Sequence, residues 1–182
     1  YVYATNFKQI PLVGNVVVAL LLATSIITIG LFDILPAIDI DNRFRMKQAF
    51  SILMDYALFA FIINLLRELV KDLEDIDGDE QTGMNTLPIA IGIPKTKIII
   101  GSITIIALLL LVFYLKNALI DLDYTIYYAL FFIFGPIVYF GVKLINASTK
   151  KEFHHLSTVL KIVLFFGILS VAIIVTNLKY AS

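Results

Sequence analysis

Asn64-Leu65-Leu66-Arg67-Glu68-Leu69-Val70-Lys71-Asp72-Leu73-Glu74-Asp75-Ile76-Asp77-Gly78-Asp79-Glu80 is where a long apolar run ends in acid. Seven of the chain's 14 acidic residues lie between Glu68 and Glu80. Continued as one helix at 100° per residue, Asn64, Glu68, Asp72, Asp75 and Asp79 share an arc of about 80°, while Asp77 and Glu80 point elsewhere. Like charges three and four residues apart repel, so this spacing gains a helix nothing unless a cation sits among the carboxylates. Oxygen donors without His or Cys favour a hard cation, Mg²⁺ or Ca²⁺, over zinc. A solvated acidic loop trailing a membrane helix is the plain alternative. An EF-hand is excluded, because its glycine would fall on Glu80 and its bidentate glutamate on Thr86.

The rest of the chain says what this stripe is attached to. Of 182 residues, 60% are hydrophobic and 15% charged, with a mean hydropathy of +0.94. Soluble domains are only about 45–50% apolar. Several apolar runs reach the roughly 20 residues that cross a bilayer. They are continuous rather than alternating, which predicts helices and not an outer-membrane barrel. The absence of cysteine rules out disulfides and thiolate metal sites. A formal net charge of zero gives no electrostatic case for a nucleic-acid partner. The chain opens Tyr1-Val2-Tyr3, with no Met and no signal-peptide layout, so we expect the start of a longer protein to lie upstream.

Five spans follow from the apolar runs, predicting an all-α polytopic membrane bundle, one membrane domain over residues 1–182. The first runs from Ile10 to Phe32 through Pro11, Gly14 and Asn15; for Asn15, capping the helix start is the first reading and lining a polar site the second. A polar connection covers Asp33 to Lys47. The second span, Gln48 to Leu66, continues into the acidic stripe and contains Asp55, either a functional intramembrane carboxylate or one half of an interfacial pair with Lys47 or another nearby base. Gly83, Pro88, Gly92 and Pro94 then break the helix into a loop. Lys97 to Leu115 is the third span. Tyr124 to Val142 is the fourth, with a kink expected at Gly135-Pro136. A polar loop from Lys143 to Ser157 holds His154 and His155, read as solvated rather than chelating. The fifth span is Val159 to Thr176. Five crossings place nine basic residues on the side of the stripe and five on the other, out of 14. The positive-inside rule then puts the stripe in the cytoplasm, on a protein integral to the cytoplasmic (inner) membrane.

Arg67-Glu68-x-x-Lys71-Asp72-x-x-Asp75-x-x-Gly78-Asp79-x-x-x-Gly83-x-x-Thr86-Leu87-Pro88 closely resembles the second aspartate-rich motif of the UbiA superfamily of intramembrane prenyltransferases. Tyr3-x-x-x-Phe7-Lys8-x-x-Pro11-Leu12-x-Gly14-Asn15-x-x-Val18-Ala19 resembles the start of that family's fifth helix, and the two stretches have the right order and separation. The form of the motif looks most like that of digeranylgeranylglyceryl phosphate synthases and related lipid or quinone enzymes.

The resemblance implies nine helices around a central cavity, of which this chain would supply helices five to nine. Two aspartate-rich motifs would face each other near the cytoplasmic mouth. The first, of the form Asn-Asp-x-x-Asp-x-x-x-Asp, is absent, and Asp33, Asp39 and Asp41 do not match it. The chain alone is therefore expected to be inactive. The implied activity is Mg²⁺-dependent transfer of a prenyl group from a prenyl diphosphate to a lipid or aromatic acceptor, geranylgeranylglyceryl phosphate among them, in contact with membrane lipids. Asp72, Asp75 and Asp79 are the implied metal ligands and catalytic carboxylates. Lys8, Arg67 and Lys71 are the candidate diphosphate contacts, with their plain reading as basic flanks of membrane helices beside it. Asn15, Asn64 and Glu68 would line the cavity. A secondary transporter and a non-catalytic membrane scaffold are the competing classes. A transporter should carry its charge at mid-membrane with a repeat in the second half, and the stripe is not repeated.

Overall fold

The computed structural model describes residues 10–118 and 123–181. Along the chain they form α1 (Val13–Ile29), a π-helical turn (Gly30–Ile34), α2 (Arg43–Glu74), α3 (Ile76–Gln81), α4 (Leu87–Ile91), α5 (Ile93–Ala118), α6 (Asp123–Ala129), a second π-helical turn (Leu130–Phe134), α7 (Gly135–Asn146) and α8 (Lys150–Ala181). No strand occurs among the described residues. Five stretches are long and apolar enough to cross a membrane: Val13–Ile34, Arg43–Glu74, Ile93–Asn117, Tyr124–Asn146 and Lys150–Ile174. The protein is thus an all-α integral membrane bundle.

α2 is its centre. Ile62, Ile63, Asn64, Leu65 and Leu66 are buried in succession, which on a helix means burial on every side. It packs against α1, α5 and α8. Small residues let α1 approach closely: Ala19 and Ala23 are buried, and a Cβ on Gly30 would come within 2.8 Å of Leu53 Cδ2. At 32 residues α2 is about 48 Å long, against roughly 30 Å of hydrocarbon. From Arg67 onward it therefore stands clear of the apolar layer.

Several local expectations need correcting. α2 begins at Arg43, five residues ahead of Gln48, so the connection after the first span is shorter than its polarity suggested. The helix then stops at Glu74 instead of carrying the stripe through. The irregularity in the fourth crossing lies one turn before Gly135-Pro136, as the π-helical turn Leu130–Phe134, with Pro136 in the first turn of α7. A proline has no N–H to give the preceding turn, and a wider turn upstream accommodates that loss. His154 and His155 are exposed, but they sit on α8, which starts at Lys150 rather than Val159. The cause is a capping box: Glu152 Oε2 accepts the N–H groups of Ser148 and Thr149, each at 2.9 Å, and the Thr149 hydroxyl at 2.8 Å. Those bonds, first of all the Ser148 N–H, hold the Glu152 carboxyl down to about 2 from an ordinary 4.5.

Three links show which helix ends share one end of the bundle. Lys97 Nζ donates to the carbonyls of Ile145 and Ala147 at 2.7 and 2.9 Å, satisfying acceptors where α7 ends. His154 Nδ1 lies 2.8 Å from Glu74 Oε1, and Asn15 reaches Asp72. The starts of α1, α5 and α8 thus meet the ends of α2 and α7 around the acidic stripe.

Candidate functional site at the end of the central helix

The stripe is built on the end of α2 and the short α3 rather than on one helix. Asp75 leaves helical geometry at φ −101°, ψ 10°. Its N–H still bonds Lys71 O at 2.9 Å, while its own carbonyl accepts Gly78 N–H at 2.9 Å and Asp79 N–H at 3.0 Å, restarting the chain as α3. Gly83 closes that segment at φ +69°, a left-handed position that a side chain would strain. Met84 N–H bonding back to Asp79 O at 2.9 Å ties the turn.

Asp72 is the fixed point. Asn15 Nδ2 donates to its Oδ2 at 2.7 Å, across 57 residues of sequence. Asn15 is therefore no helix cap: α1 has no side-chain cap, and its start is set by Leu12, held at φ 71°. Burial pushes the Asp72 carboxyl up to about 6 from an ordinary 3.8; the Asn15 hydrogen bond opposes this, and the charges of Asp79 and Glu68 add to it. A carboxylate so placed is short of positive charge. The terminal carbonyls of α2 add partial negative charge at the same place, which also favours a cation.

The other candidate residues divide around it. Glu68 pairs with Arg67 Nη1 at 2.8 Å, and buried Asn64 accepts from the same nitrogen at 3.4 Å. Arg67 Nε is buried without a partner among the described residues, as is Thr86 Oγ1. Lys71 is exposed. Asp75 turns toward Lys150 Nζ at 3.7 Å, an exposed ion pair across to α8. Asp77 is exposed, and Lys8 lies outside the described residues. Among the described residues no three His, Cys, Asp or Glu side chains form a ready-made metal cage. The donor set nevertheless fits Mg²⁺, which keeps several waters and is usually bound by one or two carboxylates together with substrate phosphates.

The sequence singled out Asp55 but not its surroundings. Asp55 has no hydrogen-bond or ion-pair partner among the described residues, Lys47 included. Tyr56, Tyr114 and Ser170, which line a cavity with it, carried no local signal.

Residues 1–165 match the UbiA prenyltransferase family. A digeranylgeranylglyceryl phosphate synthase of Pyrococcus horikoshii is 39% identical over 110 residues, 59% of this chain and 35% of the relative. The proteins of that name from Thermococcus kodakarensis and Thermococcus sibiricus are 30% identical over 170 residues and 32% over 173; each match covers 93% of this chain, and 55% and 54% of the respective relative. The chain spans about half the length of these two relatives. No solved structure matches it with significance. An acidic stripe at the end of a membrane bundle and a family match over residues 1–165 lead to one assignment: the chain belongs to the UbiA prenyltransferase family.

Proposed function

We propose that the protein carrying this chain transfers a prenyl group from a polyprenyl diphosphate to an acceptor within the membrane. The names of the relatives favour geranylgeranylglyceryl phosphate as the acceptor to test first. The observation that carries the reading is Asp72: a half-buried carboxylate oriented by a neutral amide, with Glu68 and Asp79 close by, where a membrane helix emerges. Asp72, Asp75 and Asp79 would hold Mg²⁺, directly or through water. Asp75 is available because an exposed ion pair at 3.7 Å is weak and easily exchanged. Bound there, Mg²⁺ would neutralise the departing diphosphate as the allylic carbon–oxygen bond breaks.

The chain's own residues supply the rest. Lys71 and Lys8 would contact the diphosphate, and Arg67 would join them from its present pairing with Glu68 and Asn64. Apolar helix faces would take the isoprenoid tail and keep water from the developing cation. The excess of basic residues at the Asp72 end supports a cytoplasmic position for the site. This reading makes residues 1–182 a single membrane domain supplying the second aspartate-rich motif only, so the chain alone should be inactive and tests belong in the full-length protein.

The test is transfer of a radiolabelled prenyl group from its diphosphate, with Mg²⁺ titrated against each variant. Asp72→Asn and Asp75→Asn keep shape and remove charge. If each lost ligand withdraws about 3–4 kcal/mol of transition-state stabilisation, turnover falls by roughly two to three orders of magnitude. Asp77→Asn should leave turnover near wild type. A crippled Asp77→Asn beside an intact Asp72→Asn would overturn the ligand assignment.

A further inference from the structure

α8 reaches across to the end of α2 at two consecutive residues. His154 Nδ1 lies 2.8 Å from Glu74 Oε1, and one turn earlier on α8 Lys150 Nζ lies 3.7 Å from Asp75 Oδ1. The two contacts differ in kind. The Glu74 side chain is only 15% exposed, whereas Asp75 and Lys150 are 43% and 69% exposed. An ion pair that open to water and that long is held weakly and exchanges readily.

The backbone under Lys150 is fixed. Glu152 caps Ser148 and Thr149 just ahead of it, Phe153 N–H bonds Thr149 O at 3.1 Å, and the side chains of Phe153 and Leu156 are buried. Movement here is therefore confined to the lysine's own four-carbon stem, a flexible arm that carries a point charge and three donors. Asp75 stands where α2 leaves helical geometry. Its carboxylate meets α8, and Asp72, Asp75 and Asp79 do not form a ready-made metal cage.

An ammonium and a divalent cation on one carboxylate repel each other, so each weakens the hold of the other. Mg²⁺ is usually held by one or two carboxylates together with substrate phosphates. An ammonium displaced from Asp75 would thus find phosphate oxygens, its stronger partners, within the sweep of its stem. We propose that Lys150 is a further donor-site residue with two successive partners: it competes with a divalent cation for Asp75 and, once displaced, pairs with the diphosphate. This role rests on the prenyl-transfer reading, with Asp75 as a metal ligand. Lys150→Gln should tighten binding of the bare cation and loosen binding of the diphosphate, opposite signs that loss of a structural contact would not give.

The experiment uses the full-length protein in phosphatidylcholine nanodiscs, with Mn²⁺ as the probe cation and its free spin-resonance signal as the readout. Without substrate, Lys150→Gln should bind Mn²⁺ roughly two- to fivefold more tightly, the range an exposed ion pair can oppose. At saturating Mn²⁺, its affinity for radiolabelled pyrophosphate should fall by a similar roughly two- to fivefold factor. Lys150→Arg should stay near wild type in both. Lys151→Gln removes the same charge from the neighbouring exposed position, about 100° around α8, and should change neither. In an Asp75→Asn background, which itself weakens Mn²⁺ binding, Lys150→Gln should no longer tighten it. Thermal unfolding confirms that each variant folds. Unchanged or weaker Mn²⁺ binding by Lys150→Gln would overturn the proposal, as would unchanged pyrophosphate affinity or equal effects from Lys151→Gln. Those results leave the transferase reading standing if Asp75→Asn still weakens Mn²⁺ binding; if it does not, the ligand assignment falls and this role with it.

Discussion

Asn15 shows how little charge is needed to orient the carboxylate proposed to hold Mg²⁺. Its neutral amide fixes one oxygen of Asp72 at 2.7 Å without bringing a charge that would compete with a cation. Outer partners of this kind typically change metal affinity 10- to 100-fold when removed. In the full-length protein, Asn15→Ala should therefore raise the Mg²⁺ concentration for half-maximal turnover by about tenfold, with most activity recovered at saturating Mg²⁺. A loss of activity that no amount of Mg²⁺ restores would make Asn15 a packing residue instead. The sequence offered both readings of this residue, capping and cavity, and local pattern favoured the wrong one. What decides between them is a contact 57 residues away, which no helical period encodes.

The helices themselves were more legible than their ends. Long apolar runs announce crossings because the bilayer demands length, and all five appear where the runs lie. The break at Asp75 was hidden because no Gly or Pro stands there; Gly78 comes three residues later. The start of α8 was hidden differently. Lys150, Lys151, His154 and His155 make the stretch look like a loop, although Thr149-x-x-Glu152 spells a capping box. That box has a pH signature. A carboxyl held at about 2 against an ordinary 4.5 stabilises the fold fully above about 4.5 and loses that contribution as pH falls toward 2. Glu152→Ala should thus lower the thermal midpoint by a constant amount near neutrality, and the gap to wild type should close between those two pH values. At the α1–α2 contact, Gly30→Ala would press a methyl to 2.8 Å from Leu53 Cδ2 and 2.9 Å from Phe50 Cε2. Those side-chain ends can yield in part, so a loss of about 1–3 kcal/mol is expected, seen as a lower unfolding midpoint in nanodiscs.

Taken as one body, the bundle gathers the starts of α1, α5 and α8 and the ends of α2 and α7 at a single end, and the acidic stripe lies there. The chain has no native cysteine to interfere, so a cysteine introduced at exposed Glu80 reports the orientation directly. In sealed vesicles an impermeant maleimide should label it from the cytoplasmic face alone; labelling from outside would reverse the topology. Under the proposed function, the length of α2 bears on how a prenyl diphosphate would arrive. Asp72 is six residues beyond Leu66, about 9 Å past the apolar stretch, and the headgroup region adds roughly 5–8 Å to each side of the hydrocarbon. Asp72 thus lies at about the outer edge of the headgroup region. A diphosphate arriving by lateral diffusion within the leaflet need never shed its water into hydrocarbon, because only its tail crosses into the apolar layer. On the proposed prenyl-transfer reading the search for the site would become two-dimensional, and encounter would be governed by the surface density of the prenyl donor in the leaflet rather than by its concentration in the aqueous phase.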